Sequence, residues 1–381
     1  MNLLNFLKEL VAIDTSSPKN YQKCADLIAK EAESLGLKVN VISPTGKDGL
    51  PRPNAIISYE VGAKKTLILN AHYDTVPAGE GWVTDPFELI VKEEKAFGRG
   101  AGDDKGGIAV GMAILERLKE RKIKNMNAIL LCTCDEEVGS ELGLKYIIWE
   151  KLVTGDLGIV LDGSADRIEI GSCCSVLGSI EIEGEQAHSS LDGYNVIGES
   201  LDFLRELQDY AKAREKCISK LRAPSGSKHE FVWGRFNITM LNGGIIENVM
   251  PPSLRVGFDL RIAPDEDEKK VIGEFETLAK GLLKKYKLKG KLNYKLHSGY
   301  FIDEKNVTAK RLAMSYEKVF GKKAPICSSL GGTDGSYLSK AVPCVVFAPG
   351  AKNMHGPNEY VETGNMEKCI ETIVGMVGDW K

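Results

Sequence analysis

Apolar residues open the chain at helical spacing. Leu3, Leu4, Phe6, Leu7, Leu10 and Val11 form one stripe, and Cys24, Leu27, Ile28, Ala32 and Leu35 form a second that stops at Gly36. Strand-like runs follow at 39–42, 55–59, 66–70, 128–133 and 157–161. Several are apolar on both faces, which predicts central strands covered by helices. A helix fits between them over 106–121. This alternation predicts an α/β layered domain with a central mixed, mostly parallel sheet.

Near Gly178 the period changes. Ser179-Ile-Glu-Ile-Glu183 alternates as a half-exposed strand does. Then come a helical stripe (Ile197, Leu201, Leu204, Leu207), strand-like segments at 236–241 and 254–262, a second stripe (Val271, Ile272, Phe275, Leu278, Leu282) and a strand over 291–296. The order β-α-β-β-α-β describes a ferredoxin-like α+β sandwich. From about Phe301 the layered pattern returns, with a helix over 311–320 and a buried-type strand over 344–347. The expected organisation is a discontinuous domain, residues 1–176 and 297–381, interrupted by an inserted domain, residues 177–296.

Composition acts mainly by exclusion. The 381 residues are 43% hydrophobic and 27% charged, with a net charge of -3. Lysines and arginines lie scattered among acids, so no basic footprint suggests nucleic acid. The lysine-rich stretch 280–291 reads as the solvated face and end of a helix. No apolar run approaches the ~20 residues of a membrane span. The first residues lack the basic start and small-residue cleavage site of a signal peptide. Nine cysteines are then expected as reduced thiols in a cytoplasmic protein.

Five polar groups fall where buried-type strands end or helices begin: His72-Tyr-Asp74, the loop Gly98-Arg-Gly-Ala-Gly-Asp103-Asp-Lys-Gly-Gly107, Asp135-Glu136-Glu137, Asp162, and the segment from Cys344 to His355. Ligands of open α/β sheets bind beyond the carboxyl ends of strands, so these groups converge on one edge. Two histidines and three carboxylates, one of them shared, can hold two zinc ions. A metal pair can polarise a carbonyl and generate a hydroxide nucleophile. In Glu136-Glu137 one carboxylate can bind metal while its neighbour takes the proton from water. In His72-x-Asp74 the aspartate can orient the imidazole.

These segments, with Ala187-His188-Ser189-Ser190, Asn248-Val-Met-Pro251, Gly331-Gly-Thr-Asp334 and His355-Gly-Pro-Asn-Glu359, resemble the two-zinc metallopeptidase family. That family includes succinyl-diaminopimelate desuccinylase, acetylornithine deacetylase, aminoacylase, glutamate carboxypeptidase and the bacterial tripeptidases. The resemblance covers essentially the whole chain. It implies that His72 and Asp162 bind one zinc, Glu137 and His355 the other, and that Asp103 bridges them. It implies Glu136 as general base, Asp74 as the residue orienting His72, and a cis peptide at Asp103-Asp104. His188 resembles the histidine that steadies the oxyanion, in dimeric relatives from the partner subunit. Asn248 and Arg261 resemble residues that grip the substrate carboxylate, and Gly332 and Thr333 resemble the loop lining that pocket. The inserted domain is then a lid or dimerisation domain, which allows a homodimer. Cobalt or manganese can occupy similar ligands.

Blander readings attach to single motifs. An isolated His-x-Asp is commonly a surface turn, and acids at 135–137 suit a helix start. Gly98-Arg-Gly-Ala-Gly lacks a complete phosphate-binding fingerprint. Cys132, Cys134, Cys173 and Cys174 match no common zinc spacing and read as core residues. His229 and His297 match nothing in the family, and Arg261 also suits a plain salt bridge. One departure bears on substrate. The resemblance associates glutamate at position 162 with deacylation and C-terminal hydrolysis, and aspartate with aminopeptidases, tripeptidases and dipeptidases. Asp162 and the loop Gly331–Ser336 lean toward a peptide with a free amine. The expected activity is hydrolysis of an amide or peptide bond in a small carboxylate-bearing substrate. The alternatives are a biosynthetic N-acyl amino acid deacylase and a non-catalytic binding protein on the same fold.

Overall fold

The computed structural model describes residues 1–380, which fall into two compact units. The first comprises Met1–Gly171, Ile302–Cys327 and the chain from Thr333 onward; the second comprises Ser172–Phe301 and Ser328–Gly332.

The first unit is built on a twisted sheet. Its main strands are β1 (Lys38–Ile42), β2 (Asn54–Tyr59), β3 (Thr66–His72), β4 (Asn127–Thr133), β5 (Leu157–Val160), β6 (Ile168–Ser172) and β7 (Cys344–Val346). Their order across the sheet is β1-β2-β4-β3-β5-β7-β6. The four central strands, β4, β3, β5 and β7, run parallel. The strands beyond them pair antiparallel. Residues 67–72 of β3 and all of β5 are buried, as a strand covered on both faces must be. The sheet is therefore the mixed, mostly parallel one that the apolar runs predict.

Helix Lys105–Glu120 lies against β3 and packs on helices Leu3–Val11 and Thr363–Gly378. Its first turn meets the sheet so closely that a Cβ at Gly107 would lie 2.7 Å from the Leu161 carbonyl oxygen. A side chain there would push the helix start away from the strand ends. Helix Thr363–Gly378 and strand β6 are elements the sequence reading did not anticipate. So is a small sheet of Ala351–Lys352, Tyr360–Glu362, Lys95–Phe97 and Ile90–Lys92, which ties the segment before Gly98 to the segment after His355.

The second unit contains the expected sandwich. Strands Arg235–Gly243, Ser253–Ile262, Cys174–Glu183 and Gly290–His297 pair antiparallel in that order. Helices Leu201–Arg214 and Glu268–Lys285 supply Phe203, Leu207, Phe275 and Leu282 to a core with Val176, Ile180, Phe236 and Leu260. The stripe expected from Ile197 to Leu207 is broken into Val196–Glu199 and Leu201–Arg214. The inserted segment 177–296 lies wholly inside this unit. All nine cysteines are free, and eight are buried. No described helix is long and apolar enough to cross a membrane.

Candidate metal centre

Parallel pairing in register carries the functional groups to one edge. His72 closes β3 opposite Thr133 of β4, and Asn70 pairs with Val160, so Asp162 emerges just beyond β5. Glu136 and Glu137 begin a short 3-10 turn after β4, entered through Asp135 in the left-handed region at φ 61°. Asp103 sits in the loop before helix Lys105–Glu120, and the Asp103-Asp104 peptide is cis. His355 lies in the loop after β7, itself at φ 62°.

Asp103 stands at the centre. Its Oδ1 is 3.2 Å from His72 Nε2, and its Oδ2 is 3.1 Å from His355 Nε2. His355 Nε2 is also 3.2 Å from Glu137 Oε2. Two triads result, His72/Asp103/Asp162 and Asp103/Glu137/His355, each offering one ligand atom per residue within 4.8 Å of the others. His72 Nε2 and Glu137 Oε1 are buried without a hydrogen-bond partner. Buried polar atoms are ordinarily paired. Nitrogen and oxygen donors left free in this way, converging around one carboxylate, fit a pair of divalent cations.

Electrostatics tells the same story for the metal-free protein. Burial disfavours charge on His72, but the Asp103 and Asp74 contacts outweigh it and hold the imidazole well above its ordinary pKa. The Asp103 and Glu137 contacts raise His355 to about 10. Burial opposes ionisation of Asp103, yet His355 and His72 keep its pKa below the usual carboxylate range. Burial, then the Asp103 charge, raises Asp162 to about 7. Glu136 keeps some open surface, but the protein around its carboxyl desolvates it. Its pKa lies well above the ordinary value despite the opposing His72 charge. Such crowding of acids and protonated histidines is the state a bound cation replaces.

Asp74 differs in detail from the sequence expectation. Its backbone carbonyl, not its carboxylate, is the close partner of His72 Nδ1, at 3.0 Å; carboxylate Oδ1 is 3.4 Å away. The Asp74 carboxylate instead accepts the backbone N–H groups of Glu136 and Glu137, both at 3.1 Å. One residue thus fixes the imidazole and the acidic turn together.

Three residues around the centre escaped the sequence reading. Glu359 Oε1 accepts the N–H groups of Gly102 (3.0 Å) and Asp103 (3.1 Å), while Oε2 accepts from Arg99. Arg99 also donates to the Gly356 carbonyl at 3.1 Å, beside His355. Arg52 Nε holds both oxygens of Asp135 at 3.0 and 3.1 Å. A buried-type charge inside a quoted motif was the available signal for Arg99 and Glu359; nothing in the sequence marked Arg52.

The remaining candidates divide between the units. Thr333 belongs to the first; His188, Asn248, Arg261 and Gly332 belong to the second. There, Ala187–His188 pairs with Val249–Met250, and Ser189 N–H bonds the Asn248 carbonyl at 2.9 Å. His188 and Asn248 are thereby neighbours. Ser190 N–H donates to His188 Nδ1 at 3.2 Å, which places the proton of a neutral ring on Nε2. Arg261 Nε bonds both oxygens of Asp259 at 2.8 and 3.1 Å. His229 Nε2 contacts Glu215 at 3.0 Å and its ring packs on Trp233.

The family model for peptidase family M20/M25/M40 matches residues 68–379. An uncharacterised metallohydrolase of Methanocaldococcus jannaschii is 27% identical, over 96% of both chains. The succinyl-diaminopimelate desuccinylase of Buchnera aphidicola is 26% identical, again over 96% of both. Among solved structures, an M20 family metallo-carboxypeptidase from Sulfolobus solfataricus superposes with a TM-score of 0.82 at 20% identity, covering 100% of this chain and 99% of that one.

Proposed function

The chain belongs to peptidase family M20/M25/M40, and from that premise we propose that it hydrolyses an amide or peptide bond in a small carboxylate-bearing substrate, using two divalent metal ions held by His72, Asp103, Glu137, Asp162 and His355. The observation that carries this reading is Asp103, whose two oxygens face two different histidines at 3.2 and 3.1 Å. Two ions bound at such a site supply Lewis acidity to the scissile carbonyl and to the attacking water. Zinc fits these donors, and cobalt or manganese fits them too.

The protein's own groups have distinct tasks. Glu136 takes a proton from the attacking water as its oxygen bonds to the carbonyl carbon, and returns that proton to the leaving nitrogen as the C–N bond breaks. A carboxylate one residue before Glu137 is placed to act first as base and then as acid. Asp74 holds His72 and the Glu136-Glu137 turn in place. His188, with its proton on Nε2, donates to the carbonyl oxygen as negative charge develops there. Asn248, Arg261, Gly332 and Thr333 receive the substrate carboxylate. Residues 177–296 serve as a lid or dimerisation domain, with His188 acting in its own or a partner's site, in a cytoplasmic enzyme.

Two substrate classes remain in play. Asp162 favours peptides with a free amine, whereas the desuccinylase relative favours N-acyl amino acids. The test is a hydrolysis screen of zinc- or cobalt-loaded protein against N-acetyl and N-succinyl amino acids, dipeptides and tripeptides. Turnover in one panel assigns the class. Two bound metals with no turnover in any panel would overturn the enzymatic reading in favour of a binding protein.

A further inference from the structure

In the second unit, the antiparallel register sets Arg235 directly opposite Arg261, Arg261 opposite Ser175, and Ser175 opposite His297. Directly paired residues share a face, so two guanidiniums stand side by side. Like charges in that arrangement repel, and here one carboxylate lies close by. Asp259 occupies the Nε of Arg261 at 2.8 and 3.1 Å. The two terminal nitrogens of Arg261 have no hydrogen-bond partner among the described residues.

Arg235 is more exposed to this imbalance. One terminal nitrogen donates to the Leu330 carbonyl oxygen and lies 3.6 Å from Cys173 Sγ. Its Nε is buried and unpartnered. The guanidinium lies 5.1 Å from the centroid of the Trp233 ring. Burial, reinforced by the Arg261 charge, lowers its pKa despite the nearby Cys173 and Asp259. The Leu330 contact alone does not account for a cation here, since any neutral N–H donor would satisfy that carbonyl. A partly desolvated guanidinium with free donors and a cationic neighbour is a receptor for an anion.

We propose that Arg235 is a specificity-determining residue that, with Arg261, receives a second carboxylate of the substrate, so that dianionic substrates bind in preference to monoanionic ones. This rests on the reading of Arg261 as the residue that grips the first carboxylate. The two arginines differ in role: Arg261 is tied to its own aspartate, and Arg235 carries the uncompensated charge.

The experiment uses the metal-loaded protein and two probes of similar length, glutarate and butyrate. Their affinities are measured by calorimetry in wild type, Arg235→Gln and Arg235→Lys. Gln removes the charge while keeping a polar N–H donor on the side chain, and Lys keeps the charge without the planar fork. The expected result is a glutarate-to-butyrate affinity ratio well above one in wild type, reduced ten-fold or more in Arg235→Gln and less than three-fold in Arg235→Lys. A wild-type ratio near one, a ratio unchanged in Arg235→Gln, or an equal loss in both variants overturns the proposal. Because the readout is binding, it stands apart from the hydrolysis screen. A protein that turns over none of the panels but shows the ratio and its loss refutes the enzymatic reading alone.

Discussion

Glu359→Ala tests how the Asp103 loop is held. The Arg99 and Glu359 side chains are 1% and 0% exposed. The carboxylate also closes two backbone N–H groups, those of Gly102 and Asp103. Removing one partner of a buried ion pair costs about 3–5 kcal/mol, because the other charge stays buried and uncompensated. Two orphaned N–H groups add roughly 1–3 kcal/mol each when no water replaces the acceptor. The costs overlap, so at least about 4 kcal/mol is expected. Arg99→Met is milder. It leaves a carboxyl that still accepts two N–H groups and whose pKa burial already raises; about 2 kcal/mol is expected. Domains of 150–250 residues lose roughly 2–4 °C of melting temperature per kcal/mol. Glu359→Ala should therefore melt about 8 °C or more below wild type, and Arg99→Met about half as far. Calorimetry on chelator-treated protein is the assay, so that metal loss does not enter. Melting within 2 °C of wild type for Glu359→Ala, or a larger loss for Arg99→Met, would refute the reasoning.

The other predictions concern the centre itself. Glu136→Gln should lower kcat by about 10²–10⁴, the usual worth of a general base, while elemental analysis still finds two metals per chain; turnover within ten-fold of wild type removes Glu136 from its role. His355→Ala should reduce bound metal from two to one per chain, whereas His188→Ala should lower kcat at unchanged metal content; the reverse pattern would exchange the two assignments. Metal affinity should climb with pH. With His355 near 10 and Asp162 near 7, both bind protons below those values, and metal must displace them. Affinity should thus rise from pH 6 toward 9, with proton release visible as a buffer-dependent calorimetric heat; a flat profile contradicts it.

Much of the fold was legible because burial leaves a simple trace. Strands β3 and β5 are covered on both faces and read as unbroken apolar runs. The strand Ser179–Glu183 has its apolar positions inside and its acids outside, and it reads as alternation. Helix Thr363–Gly378 carried its own stripe in Met366, Cys369, Ile370, Ile373 and Val377 and was readable in principle. Strand β6 was not, since Glu169 and Ser172 are buried polar positions that break the apolar run. The small sheet around Lys95–Phe97 was out of reach for a different reason. Its strands have two or three residues, too short for any period to show.

The candidate centre shows the same limit at the level of side chains. Its metal-ligand types announce themselves by kind and by their place at strand ends. What holds them does so through main-chain atoms. Asp74 uses its carbonyl oxygen for His72 and its carboxylate for two backbone N–H groups. Glu359 likewise grips the Asp103 loop by two backbone N–H groups. A backbone donor has no residue type, so these bonds cannot be read from a string of letters. Arg52 marks the extreme case. Eighty-three residues before Asp135 in sequence, it fixes the entry to the Glu136-Glu137 turn through a side chain that no motif includes. The residues that perform chemistry are chosen from a few types, and the sequence displays them. The residues that aim them are selected by geometry alone, and only the folded chain identifies which charge is buried against which loop.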